Sequence, residues 1–411
     1  MNPMHILYSH YLPNVDQPAG HMIRAIAREL RGLGHDVSIH ASAGQPLRPI
    51  ANLATAKPKR FQRLRARLWF AKAIARDVMQ RRRDRATLER IAPDVLLVRQ
   101  DSYCSSMTWA GHRLGIPVVT YADAPVACEA RQRNNNSRWH PRGLVETIEK
   151  WGLSRSAAVV TVSEPAAKTL REYGLTTPIH AISNGIDPAN YPRLTSAERM
   201  SERRRLGLNA QQIVGFQGTF QAFHGIDRLR ELMMSTATRS DTQWLLIGDG
   251  PECTRLEQAV RGKVNAVFVG RQPNERMGGL LGLLDIGVAP YSSVPGAFYG
   301  CPLKVLEYAA AGCAVVASGQ GDVPALLDHG RAGIVVNDDD SGTWIRELNQ
   351  LLDDPTRCHA IGKYAREWIH ERYTWRNTAE SLEEILNDAL DRTGGPLGEP
   401  SIPNSISEVL R

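Results

Sequence analysis

The chain has 411 residues, which is long enough for two or three domains. Hydrophobic residues make up 42% and charged residues 23%, and this composition excludes a collagen, a coiled coil, a wholly disordered chain and a polytopic membrane protein. The net charge is +7, yet 13 Lys and Arg residues against three acidic ones lie between residues 57 and 90. The basic character therefore belongs to one segment.

The cysteines and the apolar runs indicate the cellular compartment of the chain. Six cysteines lie far apart, with neither a CxxC pair nor a Cys/His ligand spacing. No basic leader precedes the first apolar run, and the nearly uncharged stretch 277–300 contains too many Gly and Pro residues for a membrane span. We therefore expect a reduced, cytoplasmic chain without a metal site, a secretory signal or a transmembrane span.

The first half of the chain alternates apolar strands with helical stretches. A strand over 5–12 precedes a Gly-containing loop and a helix over 21–33, whose apolar residues recur at i, i+3, i+4 and i+7. Further strands are predicted at 36–41, 94–99, 116–122 and 157–163. Continuous apolar strands between helices are typical of a parallel sheet that is covered on both faces.

The alternation pauses over the polar, proline-broken stretch 184–205 and then resumes. Six more strands are predicted at 213–218, 244–248, 266–270, 286–291, 314–318 and 333–336. Helices are predicted at 225–234, 252–261, 302–311, 341–353, 355–371 and 376–391. We predict an α/β chain of two doubly wound Rossmann-like domains, 1–187 and 188–372, that face a central cleft. A helix over 373–392 would return to the first domain, and 393–411 would be a flexible tail.

The densest chemical signal lies between residues 290 and 321. A loop of small residues enters a helix at Pro302, and a helix start binds anions through its free amides and the positive end of its dipole. Lys304 adds a full charge there, and Glu307 lies three residues later on the same face. In this pattern the cation can bind a diphosphate, and the neighbouring carboxylate can accept from paired sugar hydroxyls. The alternative interpretation is a surface helix with an i, i+3 ion pair.

The same region, PLKVLEYAAAG followed by VVAS and a Gly-x-Gly turn, resembles the signature of retaining family 4 glycosyltransferases with the GT-B fold. The resemblance covers about residues 5–390, because VVTVSEPAAKTLREYG, ISNGIDPANY, LLIGDGPE, VFVGRQP and YTW follow in the family's order. It implies an acceptor domain followed by a donor domain. It also implies sugar transfer with retention from a UDP- or GDP-sugar co-substrate to a sugar or lipid-linked sugar acceptor, with no metal and no further cofactor.

The resemblance implies roles for individual residues on the donor side. Glu307 matches the second glutamate of an E-x7-E motif that binds the ribose hydroxyls, and Gly20 matches a glycine at which the backbone approaches the diphosphate. The other positions implied to contact the donor are Thr219, Gly248, Gly250, Arg271, Tyr299, Leu303 and Lys304.

Two motifs depart from the family's pattern. Tyr299 stands where the first glutamate of E-x7-E contacts the transferred sugar, and Thr219 and His224 stand where two cations steady the diphosphate. The resemblance then implies that Lys304 provides the missing charge. Lys304, His224 and the helix amides would stabilise the charge that develops on the leaving phosphate.

The acceptor side carries four candidates. Asp123 follows a predicted strand and is the third catalytic candidate, with a turn aspartate before Pro125 as the alternative. His10, Arg99 and Glu129 are the further acceptor-side residues. For His10, the alternative is a buried histidine that is hydrogen-bonded to the backbone.

The basic segment 57–90 mixes dense arginine with Trp, Phe and aliphatic residues, of which Leu64, Leu68, Ala71, Ala75 and Val78 share one helical stripe. A basic amphipathic helix is typical of a surface that binds anionic lipid, here the inner leaflet of the plasma membrane. The alternatives are a core-packed helix with a solvated basic face and, least favoured, a nucleic-acid interface, since no nucleic-acid module accompanies the segment.

Three other functions stay open for the whole chain. The replaced motif positions would suit a non-catalytic nucleotide-sugar-binding subunit, and the fold would suit a nucleotide-sugar 2-epimerase. A nicotinamide dehydrogenase is disfavoured because no G-x-G-x-x-G follows the first strand. The favoured function is a glycosyltransferase of bacterial surface-polysaccharide assembly.

Overall fold

The computed structural model describes residues 2–12, 18–42, 60–101, 104–128, 142–292, 298–337 and 340–393. The chain divides into two compact units, which are residues 1–182 together with 378–411 (unit 1) and residues 183–377 (unit 2). The predicted tail lies, from residue 394 onward, outside the described residues.

Unit 1 is built on a six-stranded parallel sheet of order β2-β1-β3-β4-β5-β6. Its strands are β1 (His5–His10), β2 (Asp36–Ala41), β3 (Val95–Arg99), β4 (Val118–Ala122), β5 (Ala158–Thr161) and β6 (Ile179–Ala181). Its described helices are α1 (Pro18–Gly32), α2 (Arg60–Ile91), α3 (Ser106–Leu114), α4 (Arg142–Leu153) and α5 (Glu164–Arg171).

Unit 2 repeats the design with a parallel sheet of order β12-β11-β10-β7-β8-β9. Its strands are β7 (Gln212–Gly218), β8 (Thr242–Gly248), β9 (Ala266–Phe268), β10 (Ile286–Ala289), β11 (Ala314–Ser318) and β12 (Ile334–Val336). Its described helices are α6 (Ser196–Arg205), α7 (Ile226–Ser235), α8 (Cys253–Val260), α9 (Asn274–Leu281), α10 (Leu303–Ala311), α11 (Val323–Leu326), α12 (Ser341–Asp353) and α13 (Pro355–Arg372). α14 (Trp375–Thr393) follows and carries the chain into unit 1.

Both sheets have a point at which the strand order reverses, and this point locates the candidate sites. In unit 1 it lies between β1 and β3, and in unit 2 between β7 and β10. At such a point neighbouring crossover connections leave the sheet in opposite directions, so a crevice opens at the carboxyl ends of the strands. Ligands of doubly wound sheets bind in that crevice.

The boundary between the units lies at residues 182 and 183, a few residues before the predicted position. The chain enters and leaves unit 2 along two paired segments. Ile186 N–H donates to Tyr373 O at 2.8 Å, and Trp375 N–H donates to Ile186 O at 3.0 Å. A Cβ on Gly185 would lie 2.2 Å from the Thr374 carbonyl carbon, so only glycine permits this pairing.

Strand β6 and helix α6 are among the elements that were not predicted. Strand β6 has three residues and no continuous apolar run, so its pairing with β5 at the sheet edge leaves little local signal. Helix α6 lies inside the polar stretch, where Thr195 and Glu198 form a capping box with both bonds present. The sequence TSAE was therefore a readable helix start that the polar composition obscured.

Helix α2 packs through a polar face. Asp77 accepts from the N–H groups of Ser105 and Ser106 at 2.8 and 2.9 Å, and so caps the start of α3. Asp84, two helical turns further along the same face, accepts from Ser106 Oγ at 2.6 Å and from Gln80 Nε2 at 2.8 Å. The predicted apolar stripe lies elsewhere on the helix: Ala71, Ala75 and Val78 are exposed, while the side chains of residues 60–70 lie outside the described set.

Candidate functional site

Lys304 lies in the first turn of α10, at the carboxyl edge of the unit 2 sheet, and is 8% exposed. Its Nζ has no hydrogen-bond partner among the described residues. It lies 4.5 Å from the ring centroid of Phe216 and 4.9 Å from that of Tyr291. Burial lowers the pKa of Lys304 to about 7, and Glu307 opposes this shift only in part. The two ring faces stabilise the ammonium form in place of a carboxylate.

His224 points a second unsatisfied nitrogen at the same place. It ends a short 3₁₀ turn after β7, it is buried, and its Nδ1 has no partner in the described part of the chain. A Cβ built on Gly218 would lie 3.2 Å from Lys304 Nζ and 3.3 Å from His224 Nδ1, so both nitrogens flank that glycine. Burial and then Lys304 lower the pKa of His224 to about 3. The imidazole is therefore neutral at pH 7.

Glu307 does not pair with Lys304, so the alternative interpretation of α10 as a surface helix with an ion pair is wrong. No carboxylate of the described residues lies within 4.0 Å of Lys304 Nζ. Glu307 instead accepts from Gln217 Nε2 and, at 3.3 Å, from Tyr191 Oη. Burial raises the pKa of Glu307, and these two hydrogen bonds counteract the shift.

Gly248 and Gly250 lie at the same edge, where the structure gives them a packing role. A Cβ on Gly248 would lie 1.9 Å from Gly218 O, and a Cβ on Gly250 would lie 1.8 Å from Thr219 O. The two loops that follow β7 and β8 can approach one another only because both side chains are missing. Thr219 itself is exposed on this edge.

The remaining donor-side candidates are placed less tightly. Leu303 is the first residue of α10, whose first-turn amides have no acceptor within the helix. Arg271 is exposed and follows Gly270, whose carbonyl accepts from Gly248 N–H at 2.9 Å. Tyr299 is partly buried and lies before α10.

Sequence reasoning missed four residues that contact Lys304 or Glu307. Phe216 and Tyr291 face the Lys304 amine, and Gln217 and Tyr191 bond to Glu307. An aromatic or amide residue near a strand end has no motif of its own. We define the Lys304 pocket as Lys304, His224, Glu307, Phe216 and Tyr291.

The unit 1 sheet carries a different set of groups at its carboxyl edge. Arg99 at the end of β3 donates to Asp123, which follows β4, and the two form an ion pair. Arg99 Nε and Asp123 Oδ1 are buried and lack a partner among the described residues. The carboxylates of Asp123 and Asp101 raise the pKa of Arg99 against the effect of burial, so this cation is permanent. We call Arg99 and Asp123 the Arg99–Asp123 pair.

Further polar groups surround the Arg99–Asp123 pair. His10 is buried and its Nδ1 accepts from Leu12 N–H at 3.2 Å, as the alternative interpretation described. Burial and then Arg99 lower the pKa of His10, so it is neutral near pH 7. Tyr8 Oη, within β1, and Thr161 Oγ1, at the end of β5, are buried and unpartnered among the described residues.

Glu149 of α4 holds the loop that carries Asp123. Its carboxylate accepts from Val126 N–H at 2.6 Å and from Ala127 N–H at 3.1 Å, just after Asp123. It also accepts from Gln100 Nε2 at 3.2 Å, next to Arg99. Burial raises the pKa of Glu149 despite these bonds. One carboxylate thus ties together both strand ends of the pair.

Gly20 and Glu129 are the two remaining candidates of unit 1. Gly20 is buried inside the first turn of α1, because that helix begins at Pro18 rather than after the glycine loop. Glu129 lies outside the described residues, as does most of the segment that follows it.

No three His, Cys, Asp or Glu side chains of the described residues cluster as metal ligands. None of the described helices is both long and apolar enough to cross a membrane.

Two family models match the chain in succession. Residues 19–190 match Glycosyltransferase Family 4, and residues 211–354 match Glycosyl transferases group 1. The two matches cover most of unit 1 and most of unit 2.

Curated relatives are similar over part of the chain. A GDP-mannose-dependent monoacylated α-(1-6)-phosphatidylinositol monomannoside mannosyltransferase from Corynebacterium glutamicum is 28% identical over 50% of this chain and 55% of its own length. A 2-deoxystreptamine glucosyltransferase from Streptomyces kanamyceticus is 26% identical over 74% of this chain and 78% of its own. The match thus spans only about half of the mannosyltransferase.

Solved structures are similar over nearly the whole chain. Sucrose-phosphate synthase from Thermosynechococcus elongatus superposes with a TM-score of 0.70 at 16% identity, over 94% of this chain and 100% of that one. Anabaena HepE in complex with UDP gives 0.69 at 16% identity, over 93% and 100%. These likenesses establish the fold of the two doubly wound units as GT-B. With that fold and with both family matches in chain order, the chain belongs to the family 4 glycosyltransferases.

Proposed function

We propose that this protein transfers a sugar, with retention of anomeric configuration, from a nucleotide-diphosphate sugar to a sugar or lipid-linked sugar acceptor. The observation that carries this proposal is the Lys304 pocket. Lys304 Nζ and His224 Nδ1 are buried, lack partners among the described residues and flank Gly218 at the start of α10. Burying a cation without a partner costs several kcal/mol, and an anionic ligand offsets that cost.

The donor diphosphate is the ligand that suits this pocket. Its oxygens would accept from Lys304 Nζ and from the first amides of α10, whose dipole favours negative charge. As the glycosidic bond to the diphosphate breaks, charge develops on the leaving oxygens, and the same donors stabilise it. A neutral His224 can donate one further hydrogen bond without adding charge.

Glu307 would bind the ribose. A carboxylate offers about four acceptor positions, and Gln217 and Tyr191 occupy two of them. The remaining positions can accept from the paired ribose hydroxyls. Burial raises the pKa of Glu307, and the hydrogen bonds from Gln217 and Tyr191 oppose this shift and so favour the ionised form that accepts from hydroxyls.

The Arg99–Asp123 pair would receive the acceptor. Asp123 Oδ1 has no partner in the described chain and can accept from an acceptor hydroxyl, while the Arg99 guanidinium holds the carboxylate in place. The departing diphosphate takes the acceptor's proton, so Asp123 orients the hydroxyl rather than consuming its proton. Orientation of two reactants in this way supplies much of the rate of such transfers.

The nucleotide is a UDP or a GDP moiety in this proposal. The Corynebacterium relative is GDP-mannose-dependent, whereas the Anabaena neighbour is in complex with UDP. The setting would be synthesis of a polysaccharide or glycoconjugate at the cytoplasmic face of the plasma membrane. The exposed face of α2 supports this placement, since Val78 is 46% and Met79 is 68% exposed beside the exposed cations Arg82 and Arg83.

A calorimetric titration with UDP-glucose, GDP-mannose and their free nucleotides tests the proposal. We expect one nucleotide class to bind to the wild type, to be slowly hydrolysed, and to lose binding in Lys304→Met. Lys263→Met, which removes an exposed lysine of the same unit, is the matched control and should bind normally. Binding that survives in Lys304→Met would contradict the assignment of the pocket. Binding without hydrolysis or transfer, even with membrane extract, would favour the non-catalytic subunit.

A vesicle flotation experiment tests the membrane placement separately. We expect the full chain to float with vesicles of phosphatidylglycerol and phosphatidylcholine and not with phosphatidylcholine alone. The variant Val78→Ser/Met79→Ser should float less, because both side chains are exposed on α2. Equal flotation with both vesicle types would contradict an anionic-lipid surface.

A further inference from the structure

Unit 2 contains a cavity at the opposite edge of its sheet from the Lys304 pocket. The cavity has a volume of about 520 Å³ and opens where β7, β10 and β11 begin. Gln212, the first residue of β7, and Asp285, just before β10, line it together with the start of α13. We call it the basal cavity.

Three cations converge on the basal cavity without an anionic partner. Arg193, Lys363 and Arg366 all line it. Within the described residues, no carboxylate forms an ion pair with any of them. Asp285 is the one acidic residue in the lining, and it is already engaged by Arg199 at 2.8 Å and by Ile213 N–H at 2.7 Å.

The cations also disturb one another. Burial and then the charge of Arg193 lower the pKa of Arg366. Two like charges held close together raise the free energy of the empty cavity, and an anion between them would relieve the repulsion. The arrangement therefore favours a ligand with a compact negative charge, such as a phosphate group.

A second observation points to hydroxyl groups on the same ligand. Gln212 is buried, and its Oε1 has no hydrogen-bond partner among the described residues. A buried carbonyl oxygen left without a donor costs about 1–3 kcal/mol. A hydroxyl of a bound ligand can supply that donor.

We propose that the basal cavity is a second ligand site, which binds a phosphorylated, hydroxyl-bearing metabolite of the sugar phosphate class. Arg193, Lys363 and Arg366 bind the phosphate, and Gln212 accepts from a hydroxyl. The volume is within the range of small-molecule sites and is larger than a bare phosphate ion requires.

The basal cavity connects to the Lys304 pocket through two physical links. Arg366 Nη2 donates to Tyr191 O at 2.7 Å, and Tyr191 Oη donates to Glu307. Arg366 Nη1 donates to Ala310 O, in the last turn of the helix whose first turn holds Lys304. A phosphate that draws Arg366 away from these carbonyls alters the hydrogen bonds that hold Glu307 and the end of α10. Ligand in the basal cavity therefore changes donor affinity, a consequence that rests on the proposed function.

Calorimetry of the full chain with glucose 6-phosphate and with inorganic phosphate tests the site. We expect glucose 6-phosphate to bind at least fivefold more tightly than inorganic phosphate, because only it has sugar hydroxyls that can donate to Gln212 while the cations bind its phosphate. Arg193→Ala/Lys363→Ala should weaken binding at least tenfold, and Gln212→Met should remove the preference for glucose 6-phosphate. Lys263→Ala/Arg346→Ala, two exposed cations of unit 2 away from the cavity, is the charge-matched control and should bind normally.

Lys304→Met separates the two sites. Glucose 6-phosphate binding that is retained in Lys304→Met and lost in Arg193→Ala/Lys363→Ala supports the basal cavity. The reverse pattern, or no binding to the wild type, overturns it.

The coupling has its own readout. We expect saturating glucose 6-phosphate to change the Kd of the nucleotide that binds by at least threefold, and the nucleotide to change the Kd of glucose 6-phosphate by the same factor. An unchanged nucleotide Kd overturns the coupling and leaves the site standing. If no nucleotide binds at all, the proposed function fails while the result for the basal cavity is unaffected.

Discussion

The carboxyl edges of the two sheets have the same topology and different electrostatics. Each lies where the strand order of a six-stranded parallel sheet reverses. In unit 1 the partly buried cation, Arg99, is paired with a carboxylate of its own chain. In unit 2 the buried cation, Lys304, has ring faces around it and no carboxylate partner among the described residues.

This difference predicts that the unit 1 edge binds neutral ligands and that the unit 2 edge binds anions. A paired cation has little to gain from an anionic ligand, whereas an unpaired buried cation gains its missing counter-charge. The same fold thus presents a polar, nearly neutral edge in unit 1 and an electropositive edge in unit 2. The comparison predicts that the donor's diphosphate binds unit 2 and that a hydroxyl-rich acceptor binds unit 1.

The substitution Lys304→Met should have the largest effect, because it removes the unpaired cation that distinguishes the unit 2 edge from the unit 1 edge. We expect donor affinity to fall by about 2–5 kcal/mol, the cost of removing one partner of a buried charge pair. At pH 6 the free energy of unfolding should rise by about 1–4 kcal/mol, since an unpaired buried charge is replaced by an apolar side chain of similar volume. Calorimetry and urea denaturation measure the two effects.

The gain in stability should depend on pH with a defined sign. The pKa of Lys304 is about 7 in the folded chain and near its ordinary 10.5 in the unfolded chain, so the unfolded state binds more protons between these values. Wild-type stability therefore rises from pH 7 towards pH 10.5, and the advantage of Lys304→Met shrinks over the same window. A Lys304→Met variant less stable than wild type at pH 6 would contradict a strained, unpaired cation.

The substitution Glu307→Ala tests whether the unit 2 edge also binds the ribose of the donor. We expect donor binding to weaken by about 1.5–3 kcal/mol, the range for hydrogen bonds to a charged group. The conservative control is Tyr191→Phe, which removes one bond to Glu307 and keeps the carboxylate. Donor affinity that is unchanged in Glu307→Ala would remove the ribose assignment.

The pH dependence of donor binding tests the role of Lys304 in the unmutated protein. Above pH 7 the amine of Lys304 is mostly neutral in the empty pocket, and a bound diphosphate restores its proton. The Kd for a nucleotide sugar should therefore rise by up to about tenfold per pH unit above pH 7 and stay flat below it. His224, with a pKa of about 3, does not titrate in this range. Lys304→Arg keeps its charge, and a pH profile as steep as that of wild type would argue against Lys304 as the titrating group.

The smallest expected effect concerns unit 1 and the positioning of the Arg99–Asp123 pair. Glu149→Gln should raise the KM for acceptor several-fold and leave donor binding and donor hydrolysis unchanged, because Glu149 holds the loop after Asp123. Glu383→Gln is the matched control, since Glu383 is also a buried carboxylate of unit 1 and bonds to His35 at 3.0 Å rather than to the loop after Asp123. Equal changes in acceptor KM for both variants would reduce Glu149 to a general stabilising role.

Much of the donor side was predictable from the chain because its residues lie close together in sequence. Pro302, Lys304 and Glu307 fall within two helical turns, and a helix start has a recognisable anion-binding chemistry. The acceptor side was less accessible. Arg99 and Asp123 are 24 residues apart, and their pairing depends on the adjacency of β3 and β4.

The amino-acid sequence by itself determined most of the strands, the alternation of helix and strand, and the placing of Lys304 and Glu307 on one helix face. These features depend on local periodicity. Strand β6 is the exception, since it depends on its pairing with β5. Only the tertiary structure decided how deeply each charged group is buried and which partners it has. It separated Lys304 from Glu307, surrounded the amine with Phe216 and Tyr291, and left Gln212 and three cations around the basal cavity. The reason is physical: burial and the partner of a charge depend on residues that are distant in sequence, and these two quantities set its free energy.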